Sequence, residues 1–174
     1  MLQKHQTATK LNSSIALIIW ILLFMVLIYG FERWLTKQNN PNRNLMWLAY
    51  TDVIKKVTLS ANRFNYYVVD GKINDQNVTF MIDTDATDVV IPANMQHNLN
   101  LIASTSLPAE TVSKQVAIFT TQINKLEIGP IQLSNIRASF NFSITSNIVL
   151  LGINVLRKLE LNCNQGKLIL SQKS

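Results

Sequence analysis

The 174-residue chain has room for one domain of ordinary size and an appendage, not for two domains. Apolar residues make up 48% of it and are spread along the whole length, which excludes a disordered chain and implies a real core. The formal net charge of +6 is uneven: residues 1–43 hold five Lys/Arg against one Glu, and the remainder eleven against nine acids, a pattern that suits anionic lipid head groups and argues against nucleic acid as a partner.

From Ile15 to Tyr29 no side chain is charged, and only Trp20 and Tyr29 carry polar atoms. Extended to Ser13 and Phe31, a helix here rises about 28 Å, near the roughly 30 Å hydrocarbon core of a bilayer. A cleavable signal peptide is the competing reading. Leu27-Ile28-Tyr29-Gly30 offers no small-x-small cleavage site, however, and Tyr29, Phe31 and Trp34 suit a membrane interface. The chain is therefore divided into a tail (1–14), a transmembrane helix (15–31) that would contact membrane lipid, a linker (32–50) and a folded domain (51–174). Lys4 and Lys10 on one side face Arg33, Lys37 and Arg43, offset by Glu32, on the other, so charge does not fix the orientation. Gln38 to Asn44 is a polar, Pro-containing run expected to end any helix leaving the membrane.

Beyond the linker the segments are short, alternating and rich in Val, Ile, Thr, Tyr and Phe, which predicts a mainly β domain. Strands are expected at Val57–Leu59, Tyr66–Ile73, Gln76–Ile82, Asp88–Ile91, Val116–Ile128, Ile131–Phe140, Ile148–Leu150 and Lys167–Ser171. Asp70-Gly71 and Gly129-Pro130 supply turn chemistry, with a bend at Gly71 if its strand continues. Ala93–Leu99 and Ile153–Leu159 read as short helices. Cys163 is the only cysteine, so no intramolecular disulfide forms, and a small buried hydrophobe is its expected role.

The chemistry concentrates in two places. Val78-Thr79-Phe80-Met81-Ile82 is an apolar strand that delivers a carboxylate to a turn, Asp83-Thr84-Asp85-Ala86-Thr87, followed by Asp88-Val89-Val90-Ile91-Pro92. Far downstream, Ile148-Val149-Leu150-Leu151-Gly152 is an apolar strand that reaches a glycine and then a short helix. His5 and His97 are far apart and have no cysteine near them, so no zinc site is expected; no metal or other cofactor is invoked.

Together these segments resemble the retropepsin-like aspartic proteases, whose motifs are Asp-Thr-Gly-Ala and, later, two apolar residues and a glycine. The resemblance covers roughly Val57 to Ser171. Val57-Thr58-Leu59, the run from Phe64 to Asp70, Gly71-Lys72-Ile73-Asn74 and Gly166-Lys167-Leu168-Ile169-Leu170 are similar to the bacterial membrane-anchored branch, which places its protease domain in the periplasm. The implied fold is a mainly β acid-protease half-barrel preceded by one transmembrane helix. The implied catalytic residues are Asp83 and Thr84, with Asp85, Ala86, Thr87 and Asp88 lining the substrate side and Leu150, Leu151 and Gly152 forming the loop that threads beneath.

Aspartic proteolysis needs a water between two carboxyl groups that share one proton. One copy of the motif supplies one aspartate, so the partner implied is a second copy of the chain, related by a two-fold axis, and the substrate is a peptide or protein. Thr84 stands where the family's threonine bonds across that axis. Ala86 stands where pepsin-like enzymes place a hydroxyl, so one hydrogen bond to the carboxylate is absent. Asp85 departs from the family's Gly: it would add a second acid per copy and remove the residue most tolerant of unusual backbone angles. The stretch expected to form the flap, Ala103 to Gln115, contains no glycine. The leading expectation is a membrane-anchored aspartic endopeptidase. The alternative is a catalytically silent peptide-binding or scaffold module of the same fold, and a third reading, an anchored β domain without an active site, requires both motifs to be coincidental.

Overall fold

The computed structural model describes residues 13–43, 55–111 and 114–172. The tail before Ser13, Trp47 and most of the junction expected around residue 50 lie outside them. The chain divides between Lys37 and Gln38 into two units.

The first unit is built on α1 (Ser13–Asn39), whose apolar side chains from Ile15 to Phe31 are exposed on every face. It is one helix long and apolar enough to cross a membrane, and about 40 Å in length at 1.5 Å per residue. The helix outlasts its apolar stretch. Arg33 donates to the Tyr29 hydroxyl one turn back (3.1 Å), and Thr36 donates to the Glu32 carbonyl (2.8 Å), so residues expected to be linker are helical. It stops at Asn39 because Asn40 precedes Pro41, which disfavours the α conformation in the residue before it.

The second unit is mainly β. Its strands are β1 (Lys56–Ser60), β2 (Val68–Ile73), β3 (Gln76–Ile82), β4 (Val89–Pro92), β5 (Ser104–Thr111), β6 (Lys114–Ile128), β7 (Ile131–Asn141), β8 (Ile148–Leu151), β9 (Leu159–Asn164) and β10 (Lys167–Gln172). Seven of them form a sheet in the order β2-β3-β8-β4-β7-β6-β5, and β2 also pairs with β6, so the sheet curls toward closure as a barrel. The other three form a sheet in the order β1-β10-β9. Val57, Leu59, Phe80, Ile91, Val149 and Leu170 are among the core residues that both sheets contribute.

Several expected elements differ. Strand β2 passes straight through Asp70-Gly71, with Gly71 opposite Val78; the turn falls at Asn74-Asp75, both at positive φ (46° and 66°), the signature of a two-residue type I′ hairpin. Gly71 serves close packing instead, since a Cβ there would collide with the Glu127 carbonyl and lie 2.7 Å from the Phe80 ring. The helix expected over Ala93–Leu99 is one 3-10 turn (Ala93–Met95) followed by turns, and that expected over Ile153–Leu159 is α2 (Ile153–Leu156). Strands β5 and β9 were not among those expected. In β7 the buried set shifts from Ile131 and Leu133 to Ile136, Ala138 and Phe140, because Asn135 takes a φ of 54° and turns the strand over.

Cys163 is exposed, contrary to the buried role expected of it. Its sulfur lies 3.8 Å from the Tyr67 hydroxyl. That hydrogen bond, then burial, raises the phenol above its ordinary pKa.

Candidate active site

Strands β3 and β8 run side by side in parallel, with Met81 opposite Leu150 and Ile82 opposite Leu151. Both motifs therefore leave the sheet at the same end. The pairing continues one step further: the Asp83 N–H donates to the Leu151 carbonyl (3.1 Å), while the Ile82 N–H donates to Tyr67 (3.0 Å) on the other side. The backbone that carries Asp83 is thus bonded on both flanks, and its half-buried carboxylate stands at the sheet's edge.

The loop after Asp83 is held from below. The Ile153 N–H donates to the Ala86 carbonyl (2.8 Å) and the Asn154 N–H to the Thr87 carbonyl (3.0 Å). These are among the first N–H groups of α2, which have no partner within a helix, so loop and helix satisfy each other. Gly152 lies where the two meet. A Cβ built on it would fall 2.6 Å from the Ala86 carbonyl oxygen and would also collide with the Asp88 carbonyl, so the site admits no side chain. Leu151 is fully buried beside it, and Leu150 partly so.

Asp83, Thr84, Asp85, Ala86, Thr87 and Asp88 are thus contiguous on one loop, and Leu150, Leu151 and Gly152 lie against it. Thr84, Asp85 and Thr87 are exposed. Asp85 does not take a positive φ, and its N–H donates to Asp83 Oδ1 (2.9 Å), so its place on the loop imposes no left-handed strain. The bond orients the Asp83 carboxylate. Asp88 is not a free acid: Arg137 of β7 grips it side-on, Nε to Oδ2 at 2.9 Å and Nη2 to Oδ1 at 3.0 Å.

A cleft of about 320 Å³ opens between the 84–88 loop, Arg137 and α2. A larger polar groove of about 960 Å³, around Asp70, Asn77, Asn94 and Asn147, lies by the start of β3 and so away from the Asp83 end. None of residues 83–88 or 150–152 lines it. Among the described residues no three His, Cys, Asp or Glu side chains converge as a metal site would require.

Sequence reasoning missed Arg137 and Asn154. Arg137 occupies an outward position of an alternating strand, where a long polar side chain is the ordinary occupant, and nothing in the sequence ties it to Asp88. Asn154 looked like one more residue of a short helix, although its Nδ2 donates to the Arg137 carbonyl (2.7 Å).

Residues 69–158, more than half of the chain, match the family described as "gag-polyprotein putative aspartyl protease". Among solved structures, the retropepsin-like aspartic protease from Rickettsia conorii superposes with a TM-score of 0.58 at 20% identity, covering 68% of this chain and 92% of that one. The retroviral protease-like domain of Ddi1 from Leishmania major gives 0.41 at 10% identity, over 56% of this chain and 80% of that one. EIAV protease complexed with the inhibitor HBY-793 gives 0.38 at 15% identity, over 63% and 92%. No curated protein matches the chain in sequence.

Proposed function

Because the chain belongs to the retropepsin-like aspartic protease family, we propose that it is an endopeptidase whose active site forms when two copies meet about a two-fold axis. The observation that carries this reading is the position of Asp83, clamped by Leu151 at the end of the parallel β3/β8 pair with Gly152 beneath its loop. Each copy contributes one Asp83. A water held between the two is deprotonated by one carboxylate as it attacks, while the other, protonated, donates to the scissile carbonyl. Thr84 bonds across the axis and keeps the carboxyls coplanar. Asp85, Ala86, Thr87 and Asp88 line the path of the peptide, and Leu150, Leu151 and Gly152 support the loop.

The apolar part of α1, residues 15–31, is the membrane anchor in this reading, as in the bacterial membrane-anchored branch, with the tail (1–14) before it, the linker (32–50) after it and the protease domain (51–174) in the periplasm. Its continuous exposed apolar surface supports that role. Two chains tethered in one bilayer reach a high effective concentration, so a modest interface suffices for pairing. The test is cleavage of unfolded proteins or peptide libraries by the full chain in lipid, strongest below neutral pH, blocked by a statine-type inhibitor and abolished by Asp83→Asn. Absence of cleavage at every pH from about 3 to 8, a range that reaches well into the acid region where a carboxyl pair shares one proton, removes the reading.

A second reading rests on Asp85. Its exposed carboxylate stands two residues from Asp83 on a loop meant to face its own copy. If four acids in one place prevent the shared-proton state, the domain binds peptides without cutting them.

A further inference from the structure

The bonds around Asp88 form a closed ring. Starting from Thr87, its carbonyl accepts the Asn154 N–H (3.0 Å), and Asn154 Nδ2 donates to the Arg137 carbonyl (2.7 Å). The Arg137 guanidinium then grips the Asp88 carboxylate with two bonds of 2.9 and 3.0 Å, and Asp88 follows Thr87 in the chain. The ring thus links three elements that are far apart in sequence: the loop after Asp83, the strand β7 and the helix α2. Register explains the meeting. Strands β4 and β7 run in parallel with Val89 opposite Ala138, which brings the preceding residues, Asp88 and Arg137, side by side. Asn154 Oδ1 is buried without a hydrogen-bond partner, so this side chain makes its single described bond, to Arg137, at the cost of an unsatisfied acceptor.

Resting on the peptidase reading above, we infer that Arg137 is a positioning residue for the reaction: through Asp88 and Asn154 it fixes the 83–88 loop and so sets where the Asp83 carboxylate stands. The side chain of Arg137 is 67% exposed and that of Asp88 only 19%. Loss of the guanidinium opens no cavity, because Arg137 is mostly exposed, and costs less global stability than breaking a fully buried pair would. It releases one corner of the loop. A displacement of about 1 Å in a reacting group lowers turnover by up to about a hundredfold. Lysine keeps the charge but not the paired N–H geometry, so Arg137→Lys restores only part of the function.

The experiment compares full-chain wild type, Arg137→Gln, Arg137→Lys, Asp88→Asn and the double variant Asp88→Asn/Arg137→Gln in lipid, with Asp83→Asn as the inactive control. The expected result is that kcat falls about tenfold or more in Arg137→Gln, and more than KM rises, with the lysine variant between it and wild type. Asp88→Asn falls similarly and the double variant no further, because both single changes break the same link. Hydrogen exchange at the Ile153 and Asn154 amides quickens in each, while the melting temperature stays near that of wild type. Wild-type kcat in Arg137→Gln, or single losses that multiply in the double variant, overturns the inference. If wild type cleaves no better than Asp83→Asn, the peptidase reading fails, and the exchange data decide the remainder: faster exchange at the two amides upholds the link from Arg137 to the loop, and unchanged exchange refutes it.

Discussion

Gly152 and Asp88 lie so close that the Asp88 carbonyl occupies the space where a side chain on residue 152 would begin. Contact between backbone and backbone cannot relax by rotating a side chain. We expect Gly152→Ala to lower stability by about 1–3 kcal/mol, the usual cost of overpacking, and to displace the loop that carries Asp83. Urea titration of the variant checks the first effect and peptide cleavage the second. A conservative replacement on the same strand, Leu150→Met, should cost less than about 1.5 kcal/mol, because it keeps volume and meets no such barrier.

Asp85 is tolerated by the backbone, since its φ is not positive. Replacing it with glycine therefore relieves no strain, and Asp85→Gly should lower stability by about 0.5–1 kcal/mol through the freer unfolded chain. In the peptidase reading this variant cleaves at least as fast as wild type, because two surplus carboxylates leave the paired site. A variant that cleaves beside a silent wild type identifies the native domain as a peptide-binding module.

Asn42 is buried and works as a polar rivet, although it falls in the stretch expected to be linker. Its Nδ2 donates to the carbonyls of Ser60 (2.8 Å) and Val68 (2.7 Å), and its Oδ1 accepts the Ser60 N–H (2.8 Å). Asn42→Ala removes all three bonds. We expect a loss of about 3 kcal/mol, read from thermal or urea melting, because an unsatisfied buried polar group costs about 1–3 kcal/mol.

The β2–β3 hairpin turn carries a pH-dependent contact. Lys125 Nζ bonds to Asp75 Oδ1 at 2.9 Å and approaches Glu127 at 3.2 Å. The bond from Lys125, then its charge, holds the Asp75 carboxyl below its ordinary pKa, and bonds to Asp75 and Glu127 hold Lys125 above its own. A lowered folded-state pKa gives stability that is present above the unfolded carboxylate value and lost as pH falls through the folded one. The raised Lys125 value acts in the opposite direction: its share is whole below the unfolded lysine value and lost as pH rises through the folded one. Asp75→Asn should therefore be slightly less stable than wild type at neutral pH, and the difference should vanish in acid. Urea midpoints measured across the acid limb check this; the effect is small because the pair is exposed.

Much of this was legible in the sequence because it depends on local pattern. The run from Ile15 to Phe31 is apolar on every face, and no arrangement of the rest of the chain changes that. Alternation marked β3, β7 and β10, and an apolar strand ending in Asp-Thr marked the loop at Asp83. The missed features have no local signature. The strand limits at Ile73 and Gln76 left Asn74-Asp75 for the hairpin turn, but Asp70-Gly71 also carried turn chemistry; that Gly71 instead serves close packing, with the Glu127 carbonyl and the Phe80 ring against it, is visible only in the sheet. Strand β9, Leu159–Asn164, exists because β10 offers it an edge to pair with, not because its own residues favour extension.

The residue types and their order determined the apolar helix, the β character of the domain and the identity of the carboxylate that leads the loop, since hydrophobic periodicity and side-chain chemistry reside in the chain itself. Tertiary structure alone decided that β3 and β8 run in parallel and that Arg137 meets Asp88 across β4 and β7; the placement of Gly152 beneath the loop was implied by the family resemblance, and the fold adds its contact with the Asp88 carbonyl. Those meetings follow from strand register, and register is set by how the whole sheet buries its faces, a property that no short stretch of sequence contains.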